Sequence, residues 1–173
     1  MQNVIDKLPL DSDLYRAITK ISYTDNIPVS DIINRMLREH LNVYLLWRKV
    51  GYVLLARDIL TTSIANTPDE DLIKAAHEVA NRHREACILL YGGNPGLDSY
   101  IRLIKSFTAV NNFEVEQSKN GDNDVLIVQF RMNTKYSLYL GNVYRMLLED
   151  FCTVHRFEIT ENLAFFEYSK KIG

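Results

Sequence analysis

Cysteine, glycine and proline are scarce in this chain, and each scarcity excludes something. Two cysteines, Cys87 and Cys152, cannot build a disulfide framework, so both are expected as reduced, buried thiols. Seven glycines and four prolines in 173 residues leave no room for a low-complexity linker. Net charge is also nearly absent, at −2 with a pI near 6.1, which argues against a general polyanion binder. Long apolar runs are missing. The nearest approach to the roughly 18 residues that a membrane helix needs is 43–56, and Arg48-Lys49 interrupts it. No basic-then-apolar leader opens the chain, so a cytoplasmic protein without membrane association is expected. Catalytic signatures are lacking too: no G-x-S-x-G elbow, no phosphate-binding glycine loop and no C-x-x-C pair. The expectation is a non-enzyme without a cofactor.

What is present is an ordinary globular composition, 47% hydrophobic and 24% charged. At this length it suits one small and one medium domain. The most informative stretch is residues 2–41. Leu8 and Leu10 alternate with Lys7 and Pro9, which suits a strand from Val4 to Leu10 buried on one side. Asp11 or Ser12 then opens a helix as its cap, with Asp13 in the first turn and Leu14, Ile18 and Ile21 on one face. Asn26 tolerates the left-handed turn that ends it, and Pro28 forces Ile27 to be extended. Ser30 is expected to cap a second helix with Asp31 in its first turn and an apolar stripe of Ile32, Ile33, Met36, Leu37 and Leu41.

The order of strand, D-S-D-L-Y helix, polar turn and P-V-S-D-I-I-N-R-M-L-R-E-H-L helix resembles the ribbon-helix-helix family, which includes the Arc and methionine repressors. The resemblance implies that two chains pair their strands into a ribbon that enters the DNA major groove. It implies a homodimer, outward ribbon residues Ile5, Lys7 and Pro9 facing double-stranded DNA, and Val29, Ser30 and Asp31 at a helix N-terminus holding a phosphate. Lys7 is the one outward ribbon residue whose side chain suits hydrogen bonding to base edges. Residues 1–50 carry seven Lys/Arg against six Asp/Glu, so binding would rest on local geometry. The alternative is a ribbon-helix-helix that serves dimerisation alone, in a protein-interaction module. Nickel-responsive repressors join such a module to a metal-binding α+β domain. This chain lacks their closely spaced His-x-His, so metal binding is not carried over.

The rest predicts an α+β domain over residues 52–173, coupled to the module of residues 1–46. Tyr52 to Ala56 suits a short buried strand, and Arg57 to Ala65 a brief helix with Ile59, Leu60 and Ile64 inward. Thr67-Pro68 followed by three acids starts a long helix with Pro68 at its first position, and 92–96 stops it. Leu97 to Val110 is a further helix. Phe113–Glu116 and Val125–Phe130 form a hairpin around Asn120-Gly121, Tyr136 to Cys152 a helix, and His155–Thr160 with Leu163–Tyr168 a second hairpin. Hairpins separated by helices argue an antiparallel sheet covered by helices.

Candidate sites in this part are sparse. His83 and Cys87 share a helix face, read as a surface histidine beside a half-buried thiol, with His77 on another face. His155 is a strand histidine without a local partner. Lys135-Tyr136-Ser137 at a helix start suits an anion or a simple cap by Thr134 or Ser137. The late aromatics, Phe130, Tyr136, Tyr139, Tyr144, Phe151 and Phe165-Phe166 among them, suit a core with a dimer interface or a pocket for an apolar or planar small-molecule effector.

Overall fold

The computed structural model describes residues 9–45, 48, 51–52 and 55–171. The chain divides into two compact units, Met1–Leu45 and Leu46–Gly173.

The first unit is a helix pair. Helix α1 (Ser12–Asp25) ends where Asn26 takes the left-handed conformation (φ 52°, ψ 43°) and its N–H returns to the Ser22 carbonyl. Ser22 is then used twice, because its Oγ donates to the Ile27 carbonyl at 2.7 Å. Helix α2 (Val29–Glu39) follows and widens into a π-helix over His40–Tyr44, so the second helix does continue past Leu41. Two caps differ from expectation. Asp11 stands at the N-cap of α1 but neither it nor Ser12 supplies a side-chain cap. Helix α2 opens two residues early with Pro28 at its N-cap, because the Pro28 carbonyl already accepts from Asp31 and Ile32; Ser30 lies inside the first turn. Of the expected strand, residues 4–8 lie outside the described residues, and Pro9 and Leu10 carry no regular structure.

The second unit is α+β. It contains α3 (Arg57–Ala65), α4 (Asp69–Tyr91), α5 (Leu97–Val110), β1 (Glu114–Asn120), β2 (Asn123–Gln129), α6 (Thr134–Glu149), β3 (Cys152–Ile159) and β4 (Leu163–Lys170). The strands form one antiparallel sheet in the order β1-β2-β4-β3. Period-two alternation sets its inner face, where Leu126 and Val128 of β2 and Phe130 just beyond its end join Ala164, Phe166 and Tyr168 of β4, all buried. Helix α6 lies on this face. It comes so close at Gly141 that a Cβ there would stand 3.2 Å from that of Ala164. Helix α4 packs on α6 in turn, through a stripe of Leu72, Ala76, Ala80, His83 and Cys87.

Several boundaries moved for local reasons. Pro68 is the N-cap of α4, so the helix starts one position later than expected, while the Thr67 hydroxyl donates to the Ser63 carbonyl instead of capping. Leu55 and Ile59 are exposed, and Tyr52, Leu55 and Ala56 form no strand. The first hairpin turns on two residues, Gly121-Asp122, with Gly121 at φ 61°, so both strands run further into the polar segment than their hydrophobic alternation indicates. Helix α6 is capped by Asn133, whose Oδ1 accepts from the Tyr136 N–H at 2.8 Å, and Cys152 begins a strand. Among the described residues no helix is long and apolar enough to cross a membrane.

Candidate functional site

The helix pair of the first unit has little interior. Ile18 and Ile32 are its buried apolar residues, one per helix. Of the remaining members of both stripes Ile33 is half-buried and the others face outward: Leu14 is 51% exposed, Ile21 40%, Met36 49%, Leu37 48% and Leu41 57%. A stripe of this size left in water has the character of a surface awaiting cover. At the start of α2 no side chain caps the first amides, Val29 is half-buried, and Ser30 and Asp31 are exposed. Of the expected ribbon contacts, Ile5 and Lys7 lie outside the described residues, and Pro9 is exposed.

In the second unit the sequence placed His83 at the surface, and the structure corrects this. His83 is 2% exposed. It continues the small-residue stripe of α4 at spacings of three and four, so position alone could have marked it as inward. Its Nδ1 lies 2.9 Å from the Val79 carbonyl, and Tyr52 Oη lies 3.0 Å from Nδ1 and 3.2 Å from Nε2. The tautomer with a proton on Nδ1 satisfies both, donating to Val79 and accepting from Tyr52. Phe107 completes an edge-to-face trio with the two rings, at 6.2 Å from Tyr52 and 6.0 Å from His83. Burial lowers the His83 pKa to about 4, so the ring is neutral near pH 7. The same burial raises the Tyr52 phenol and pushes the Cys87 thiol up to about 11. His77 is exposed on another face of α4. Among the described residues no group of three or more His, Cys, Asp or Glu side chains converges.

The late aromatics divide among several neighbourhoods, with Phe151 against Tyr100 at 5.2 Å. Phe130 meets Phe113 and, from α6, Tyr136 and Tyr144, in ring contacts at 5.5–6.1 Å. Tyr144 is fully buried, and its hydroxyl has no hydrogen-bond partner among the described residues. Phe166 stacks on Phe157 at 5.2 Å, while Phe165, on the opposite face, lies under the Arg156 guanidinium.

The remaining sequence candidates are occupied structurally. Lys135 pairs with Asp69 and donates to the Thr67 carbonyl, and Ser137 Oγ donates to the Glu161 carbonyl. His155 sits at a bulge in β3, exposed, 2.7 Å from Ser169 Oγ. Gly92 and Gly93 both adopt positive φ in an exposed helix stop. No protein-family model, curated protein or solved structure matches the chain.

Proposed function

We propose that this chain is a cytoplasmic homodimeric DNA-binding transcriptional regulator with a C-terminal domain for effector sensing or further oligomerisation. The observation that carries the reading is the helix pair, which buries little beyond Ile18 and Ile32 and leaves a stripe of Leu14, Met36, Leu37 and Leu41 outside. So small a unit needs a partner surface to become stable, and a second copy offers the self-complementary one. The ribbon-helix-helix pattern then gives the roles. Two copies of 4–10 pair as a ribbon, Ile5, Lys7 and Pro9 face the major groove, and Val29, Ser30 and Asp31 hold a phosphate at the uncapped start of α2. The second unit shows no converging metal-ligand cluster among its described residues, and its buried aromatic chain suits a packed core or an apolar effector site.

A second reading, dimerisation without DNA, is supported by the near balance of seven Lys/Arg and six Asp/Glu in residues 1–50. Fluorescence anisotropy separates the two. The expected result is tighter binding to duplex DNA from the gene's own upstream region than to a scrambled duplex, with affinity falling steeply as salt rises. Absence of binding to both at low salt would leave the dimerisation reading.

A further inference from the structure

The outward face of α1 carries a shallow groove between two ridges, Tyr15-Thr19-Tyr23 and Arg16-Lys20-Thr24. Each ridge repeats every four residues, so its members stack along one side of the helix. Tyr23 is 91% exposed and Tyr15 55%, whereas Tyr100, Tyr136, Tyr144 and Tyr168 of the second unit are all buried. Thr19 Oγ1 is spent on the Tyr15 carbonyl at 2.8 Å, which leaves the tyrosine hydroxyls and the two cations to face outward. Residues 14–24 contain no acid. Arg16 and Lys20 make no ion pair among the described residues, although cations elsewhere in the chain find carboxylates at Asp69, Glu114, Asp124 and Asp150. The two charges stand about 6 Å apart along the helix axis. The C-terminal end of this face adjoins, through the turn at 26–28, the uncapped start of α2.

We infer that this face is a docking surface for the sugar-phosphate backbone of duplex DNA, with Arg16 and Lys20 as the phosphate contacts and Tyr15 and Tyr23 as flanking hydroxyl and ring contacts. The inference rests on the DNA-binding reading above and adds a contact surface to it. The complementarity is one of charge and shape: an acid-free cationic ridge against a polyanion that carries a charge about every 1.7 Å of its axis. Such contacts position the protein without reading sequence.

The test is anisotropy over a salt series with the full chain, the R16Q/K20Q double variant and Y23A. All three positions are exposed, so each variant should keep the parent's circular dichroism and melting temperature. The expected result for R16Q/K20Q is a salt slope shallower by about 1.8 for each protomer that touches DNA, about 3.6 for a dimer in which both do, and affinity weaker by up to about 60-fold per protomer at 0.1 M salt, equally on upstream and scrambled duplexes. Y23A is expected to weaken binding several-fold with the slope unchanged, since a neutral contact releases no counterion. If the parent binds DNA and R16Q/K20Q has the same slope and affinity, the docking surface is overturned while the regulator reading stands. If the parent binds no duplex, both fall. If polyglutamate displaces the DNA from the parent as effectively as competitor duplex does, the face recognises acidic protein segments and the inference is overturned.

Discussion

The two units bury themselves in different ways. In residues 46–173 the sheet, α6 and α4 stack into layers, and whole faces of side chains disappear between them. Among the described residues of 1–45, α1 and α2 pack on each other and each hides one isoleucine. The difference follows from geometry. A helix pair presents each apolar stripe to one neighbour only, whereas a central helix such as α6 is covered by a sheet on one side and another helix on the other. Stability in the second unit is therefore internal, while the first is expected to depend on association.

The sharpest way to break this contrast is in the second core. Phe166 is fully buried and stacked on Phe157, so Phe166→Ala should cost about 3–5 kcal/mol, read as a melting transition independent of protein concentration. Next is acid. His83 titrates near 4 when folded and near its ordinary 6.5 when unfolded. The unfolded chain therefore binds the proton first, and stability is complete above about pH 6.5. It should fall by about 3 kcal/mol as the pH drops to 4, measured by urea melts across that range. His83→Gln should flatten this acid limb at the expense of stability at neutral pH.

The first unit should respond to concentration. Met36→Asp with Leu37→Asp places charge on the half-exposed stripe, and each residue has about 1–1.5 kcal/mol of burial left to gain from a partner. Each substitution occurs in both protomers, so the dimer dissociation constant should rise by at least about 100-fold in sedimentation velocity, with the melting of the second unit unchanged. A variant that stays dimeric would move the interface elsewhere. The smallest effect is expected at Tyr144. Its hydroxyl is buried without a partner among the described residues, so Tyr144→Phe should be neutral or stabilising by up to about 1 kcal/mol in the same melts.

Local chemistry carried much of the fold into view. Asn26 stops α1, the 92–96 segment stops α4, and α5 spans Leu97–Val110, because left-handed turns, proline and helical periodicity act within a few residues. The two hairpins flanking α6 follow from alternation, with a turn at Gly121 in the first and at Glu161-Asn162 in the second. The missed features depended on neighbours distant in sequence or on competition among nearby donors. Ser30 and Thr67 both have the chemistry of a cap, yet a proline directly before each helix took the N-cap position. Tyr52 to Ala56 has the composition of a strand, but among the described residues the sheet has β1 and β3 at its edges, and Ala56 serves as the N-cap of α3.

By itself the sequence determined the α+β class, the order of the described helices and hairpins, and the amphipathic stripes of α1 and α2, since each depends on periodicity and turn residues a few positions apart. Only the tertiary structure decided the strand order β1-β2-β4-β3, the close seat of α6 at Gly141, the interior place of His83 against Tyr52, and the solitude of the Tyr144 hydroxyl. These depend on which surfaces meet, and a buried polar atom acquires its energy from whatever the fold brings beside it.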